Sequence, residues 1–146
     1  MEQFTVEPTE VMRKCRTIAV VGASKNPEKE AFTVPDYLLK HGYTVIPVNP
    51  TTDSVNGLRA YHSLAEIPDE VARKVEVVDV FRPSEEFPEV AEQVVALRNR
   101  TGRPVVFWGQ LGLESDAAKK ILKEGGVAWV MDRCMRVEHA RLGREG

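Results

Sequence analysis

The side chains able to do chemistry in this sequence gather where apolar runs end. Ile18, Ala19, Val20 and Val21 give way to Gly22, Ala23, Ser24 and Lys25, a turn that carries a hydroxyl and an ammonium and precedes a helical segment. Backbone N–H groups in such a turn, and at the helix N-terminus beyond it, carry partial positive charge, so a phosphate is the expected occupant. A merely tight strand-to-helix turn is the alternative. Other run ends carry Asn49 with Pro50, Phe81 with Arg82 and Pro83, and Trp108 with Gln110. An arginine in that position suits bidentate bonding to phosphate, or else is solvated or caps a helix. Trp108 either lines a ligand path or is plain core. The segment Asp132 to Cys134 adds a thiol.

Several familiar chemistries lack their residues. A nicotinamide site after the first strand calls for G-x-G-x-x-G and an acidic residue about twenty positions on. Here Gly22 is followed by Ser24, and the corresponding later position holds Asn49-Pro50. A nucleophile elbow, G-x-S-x-G, fails at Asn26, and no G-x-x-x-x-G-K-[ST] phosphate loop occurs. His41, His62 and His139 are scattered without paired ligand spacing, so no metal is expected, and no nucleophile, base and orienting partner share the run ends. Glu85, Glu86 and Glu89 read as a solvated face.

The elements that must hold these residues follow from the apolar pattern. A chain of 146 residues, 42% hydrophobic, is read as one domain that buries about 68–70% of its unfolded surface. A net charge of -2 and a pI near 6.0 disfavour a phosphate-tracking nucleic-acid surface. No run approaches a membrane span, and Met1-Glu2-Gln3-Phe4 does not resemble a signal peptide, so a cytoplasmic protein is expected. The reading places a helix up to Arg16, strands over Thr17–Val21 and Tyr43–Val48, and between them a helix over Phe32–His41 with Pro35 in its first turn and Gly42 as its cap. Thr51 to Gly57 reads as an irregular loop, Leu58 to Tyr61 as a brief strand at the sheet edge, and Ser63 to Glu66 as a capping box.

Further strands are expected over Val75–Phe81, Val105–Trp108 and Val127–Met131. Helices follow to about Arg100, to Glu124 with Ala117, Ala118, Ile121 and Leu122 facing the sheet, and from Cys134 to Leu142. Alternation of strand and helix predicts an α/β, Rossmann-type, doubly wound and mainly parallel sheet of five to six strands with helices on both faces. Ligands of such folds sit outside the carboxyl ends of the strands, where the strand order reverses. Cys15 and Cys134 then lie at opposite ends of the sheet, roughly 16 Å apart, too far for a disulfide.

Val21-Gly22-Ala23-Ser24, Tyr43-x-Val45-x-Pro47-Val48-Asn49-Pro50, Gly57-x-x-x-Tyr61-x-Ser63-Leu64, Val78-Asp79-Val80-Phe81-Arg82, Trp108-x-Gln110-x-Gly112 and Asp132-Arg133-Cys134 occur in that order. The series resembles the stand-alone coenzyme A-binding domain family, which is similar to the CoA-binding domain of the succinyl-CoA synthetase α subunit and of ADP-forming acyl-CoA synthetases. The resemblance covers nearly the whole chain, 1–146, with 1–16 as a helical extension and 134–146 as a C-terminal helix and tail.

It implies noncovalent binding of CoA or an acyl-CoA, without catalysis by this chain alone. Gly22, Ala23, Ser24 and Lys25 would hold the pyrophosphate, and Asn49 and Pro50 would border the adenosine. Phe81, Arg82 and Pro83 would frame the adenine, with Arg82 on the ribose 3′-phosphate, and Trp108 and Gln110 would line the pantetheine path. The synthetases tend to carry a lysine just after the second strand, where this chain has Thr51-Thr52, so another residue must meet the 3′-phosphate. Cys134 is either a buried inert thiol or one able to form a mixed disulfide with a CoA thiol. Two other readings remain open: an NAD(P)-binding enzyme or redox sensor, and a docking module with a vestigial nucleotide pocket, acting through a protein partner or as a homo-oligomer.

Overall fold

The computed structural model describes residues 6–145; residues 1–5 of the expected extension and Gly146 of the tail lie outside the described residues. In chain order the strands are β1 (Thr17–Val21), β2 (Thr44–Val48), β3 (Ser54–Val55), β4 (Leu58–Arg59), β5 (Val77–Val80), β6 (Val106–Gly109) and β7 (Ala128–Val130). The helices are α1 (Pro8–Lys14), α2 (Glu30–Lys40), α3 (Asp69–Ala72), α4 (Phe87–Thr101), α5 (Asp116–Glu124) and α6 (Met135–Glu145).

Five strands form a parallel sheet in the order β2-β1-β5-β6-β7. β1 lies inside the sheet and is covered on both faces, which favours apolar residues, and Ile18 to Val21 are all buried. Alternate side chains enter two cores. Ala19, Val21, Val78, Val80 and Phe107 meet Phe87, Val94, Ala118 and Leu122 of α4 and α5. Ile18, Val20, Val77 and Trp108 meet Met12, Val34, Leu38 and Met135 of α1, α2 and α6. Each such aliphatic side chain, fully buried, contributes about 1.5–3 kcal/mol through removal from water. The doubly wound, Rossmann-like α/β expectation holds, and the reversal of strand order falls between β1 and β5.

Four local expectations are corrected. Leu58 and Arg59 pair antiparallel with Ser54 and Val55 in a separate hairpin, and Tyr61 alone bridges to Val48 of the main sheet. The hairpin turn is Asn56-Gly57, with φ of 56° and 74°, the conformation of a type I′ turn. Ser63 makes no side-chain cap bond, and Leu64–Glu66 is a single tight turn. Ala117 of α5 points to solvent, while Ala118 and Leu122 face inward.

The fourth correction has the widest effect. Helix α2 begins at Glu30, so Pro35 lies inside it and not in its first turn. A proline cannot donate to the carbonyl four residues earlier, which here is that of Ala31. Ser24 N–H takes up that carbonyl at 3.2 Å, tying the turn after β1 to the first turn of α2.

Candidate functional site

The tips of β1, β2 and β5 meet around Gly22. Its N–H donates to the Val48 carbonyl at 3.0 Å, which pins the turn to β2. Its φ is +87°, and a Cβ at this position would stand 2.6 Å from the Phe81 carbonyl oxygen and 3.0 Å from Cδ of Arg82. Only glycine combines that backbone with that approach. The absence of a side chain is therefore what lets the stem of Arg82 lie against the turn.

Of the turn's other amides, Ser24 N–H is spent on Ala31 and Asn26 N–H on the Ser24 hydroxyl at 3.0 Å. The Ala23 and Lys25 amides have no partner among the described residues, and Lys25 is exposed with its ammonium unpaired there. Two open amides, a hydroxyl and an ammonium make an anion-accepting turn.

Asn49 builds this turn from the β2 side. Its Nδ2 donates to the Ala23 carbonyl at 2.8 Å, while its Oδ1 accepts from Thr51 N and Thr51 Oγ1 at 2.7 and 2.8 Å. A carboxylate at this position would present no donor to that carbonyl. Pro50 is exposed beside it and walls a cleft of about 230 Å³ that also includes Gly22, Val48, Ser63, Arg82 and Gln93. That volume is below the usual range of about 300–1,000 Å³ for small-molecule sites, so the cleft encloses only a part of a dinucleotide-sized ligand.

Arg82 enters the cleft with its guanidinium already engaged. Nε and Nη2 donate to Oε1 and Oε2 of Glu86, both at 2.9 Å. Those bonds hold Arg82 above its ordinary pKa and Glu86 below the usual carboxylate range. Glu86 is half-buried and paired, while Glu85 and Glu89 are exposed, Glu89 at the edge of the same cleft, so of the three only Glu86 departs from a plain solvated face. A phosphate reaching Arg82 must compete with a carboxylate. Phe81 is half-buried and Pro83 exposed.

Trp108 and Gln110 lie lower. The Trp108 side chain is fully buried, its Nε1–H donating to the Arg133 carbonyl at 2.8 Å. Gln110 is 3% exposed, and its Nε2 donates to Oδ1 of Asp79 at 2.5 Å. The motif Val78-Asp79-Val80-Phe81-Arg82 assigns Asp79 no chemistry; its signal is a lone acid in a β-strand whose other residues are all valine. Complete burial, opposed by the bonds from Gln110 and the Val80 N–H, pushes its carboxyl up to about 8.

Cys134 is a buried free thiol packed with Met135 and Trp108, and Cys15 is half-buried and also free. Among the described residues no group of three or more His, Cys, Asp or Glu side chains is placed to hold a metal, and no helix is long and apolar enough to cross a membrane. A wider cleft of about 720 Å³ lies at the opposite, amino end of the sheet, lined by Thr17, Arg73, Lys74, Glu76 and Arg103. It is remote from the reversal point of the strand order, and the convergence of tips outweighs its volume as a guide to the site.

Comparison with known proteins gives consistent results. A family model described as the CoA binding domain matches residues 16–140. An uncharacterized protein, YneT, of Bacillus subtilis is 40% identical over 134 residues, covering 92% of this chain and 93% of that protein. The α subunit of an ADP-forming acetate–CoA ligase I of Pyrococcus furiosus is 34% identical over 117 residues, 75% of this chain but 24% of the subunit. A solved structure from Thermus thermophilus superposes with a TM-score of 0.80 at 37% identity, covering 94% of this chain and 99% of that one.

Proposed function

The chain belongs to the CoA-binding domain family, and from that premise we propose that it binds coenzyme A or an acyl-CoA noncovalently where the tips of β1, β2 and β5 meet. The observation that supports this most is the Gly22 turn, whose open amides lie beside the stem of Arg82 because no Cβ intervenes. In this reading Gly22, Ala23, Ser24 and Lys25 receive the pyrophosphate, Asn49 and Pro50 border the adenosine, and Phe81, Arg82 and Pro83 frame the adenine and its 3′-phosphate. Trp108 and Gln110 underlie the pantetheine path. In this reading the whole chain acts as one CoA-binding unit in the cytoplasm and catalyses nothing by itself.

An NAD(P) site is disfavoured by Asn49, which offers no carboxylate to ribose hydroxyls and whose amide is spent on Ala23. Isothermal titration with CoA, dephospho-CoA, NAD and NADP in parallel tests the reading. Micromolar CoA binding with little response to the nicotinamides is expected. Binding of NAD(P) instead, or silence from all four ligands, overturns it, and silence promotes a docking role.

A further inference from the structure

Beneath the strand tips, two buried polar groups are only half satisfied. Gln110 donates through Nε2 to Oδ1 of Asp79, yet Oδ2 of Asp79 and Oε1 of Gln110 are both buried without a partner. Both are acceptors if the acid is ionised, and neither can then satisfy the other. One proton on Oδ2 changes that, because a carboxylic acid and a primary amide are complementary: each has one donor and one acceptor on adjacent atoms.

We propose that Asp79 and Gln110 form a neutral acid–amide pair, two hydrogen bonds closing one ring, that positions the Gln110–Leu113 loop at the candidate CoA site. The positioning half of this proposal rests on the function proposed above; the pairing half does not.

The loop is held at few other points. Leu113 N–H bonds the Gln110 carbonyl at 3.0 Å, and Gly112 N–H bonds Oδ1 of Asp132, beyond β7, at 2.7 Å. Between these anchors Leu111 is 67% exposed. Gln110 is thus the inward peg of a loop whose tip presents an apolar side chain at the ligand end of the sheet.

No ion competes for the pair. Asp79 sits on the sheet face covered by α1, α2 and α6, between Val20 of β1 and Trp108 of β6. The titratable groups on these helices and the residues flanking them at that side are Cys15 and Arg16, Tyr37, His41 and Tyr43, and Cys134, Glu138 and His139. None of them acts on the carboxyl, which feels only burial, Gln110 and the Val80 N–H. Burial without a counter-ion favours the neutral acid.

The substitution Asp79→Asn reproduces the ring without a titratable proton, since the asparagine amide donates where the acid did. The folded chain keeps the Asp79 proton up to about pH 8, whereas the unfolded chain releases it near the ordinary 3.8. The contribution is therefore complete below about pH 4 and is lost as pH rises toward 8, by up to about tenfold in the unfolding constant per pH unit.

Urea unfolding of the full chain from pH 5 to 7.5 should show wild type losing about that factor per unit more than Asp79→Asn. Infrared spectra at pH 7 should show a protonated-carboxyl C=O band that Asp79→Asn abolishes. Identical pH slopes with no such band overturn the pair. For positioning, CoA affinity should fall about tenfold in Asp79→Leu, which leaves the Gln110 amide unpaired, and return to within twofold of wild type in Asp79→Asn. Should Asp79→Leu not fold, Asp79→Ala, which leaves the same amide unpaired, serves the same purpose. Unchanged CoA affinity in the leucine or alanine variant overturns positioning. Failure of wild type itself to bind CoA overturns the proposed function and positioning together, while the slopes and the band still decide the pair.

Discussion

Replacing Gly22 by alanine separates two reasons for a glycine in the turn. At φ +87° an alanine enters the left-handed region, at a cost of about 1–2 kcal/mol. Its Cβ would also stand 2.6 Å from the Phe81 carbonyl oxygen. The Phe81 N–H bonds the Val21 carbonyl at 2.8 Å, so the chain at Phe81 cannot back away from Gly22 as a unit without opening the β1–β5 seam. Overpacking against such a wall costs about 1–3 kcal/mol more. Gly42 is an internal control, because its φ is +88° and a Cβ there meets nothing within 4 Å.

Gly42→Ala therefore carries only the conformational cost, and the two variants should differ by the contact cost of about 1–3 kcal/mol. With about 2.1 cal/mol/K of unfolding entropy per residue over 146 residues, that difference is roughly 3–10 °C in Tm. Thermal unfolding of both variants beside wild type supplies the measurement, with CoA titration well below both transitions. Gly22→Ala should also lose CoA affinity, and Gly42→Ala should not. Equal Tm losses for the two variants would refute the contact, and undiminished CoA affinity in Gly22→Ala would move the pyrophosphate away from this turn.

Other outcomes follow from the same geometry. Arg82→Ala should weaken CoA much more than dephospho-CoA in paired titrations, and Glu86→Gln, which leaves the guanidinium less engaged, should tighten CoA selectively. Equal losses for both ligands would take the 3′-phosphate away from Arg82. Tyr43→Phe removes the buried bond from the Tyr43 hydroxyl to the Met12 carbonyl at 2.6 Å and should cost about 0.5–1.5 kcal/mol in urea unfolding, because the carbonyl keeps a bond from Arg16 Nη1 at 3.1 Å. An unchanged midpoint would mean that the Arg16 bond alone satisfies this carbonyl.

The sheet was legible because strands covered on both faces can hold little but apolar residues, as Ile18 to Val21 do. Signals that depend on competition between neighbours were less so. The start of α2 was misplaced because Lys29, at its N-cap, makes no side-chain cap bond, and nothing in Glu30-Ala31 announces a helix. Asn56-Gly57 was a readable hairpin signal, but strands of two residues carry no alternation to confirm it. Arg82 and Glu86 stand four apart, the spacing of an ion pair, yet whether the arginine is thereby withheld from a ligand depends on a turn joining two elements. Asp79 and Gln110 are 31 residues apart, and only the register of β5 on β6 brings them together.

The bond from Ser24 N–H to the Ala31 carbonyl, opened by Pro35, gives the molecule a latch. A regular helix would have kept that carbonyl for itself, and the turn after β1 would have been free to move independently. Here the shape of the turn is borrowed from α2. Loosening the first turn of that helix would unseat the anion-accepting amides while the sheet below stayed intact, so ligand capacity and fold integrity can be lost at different stresses.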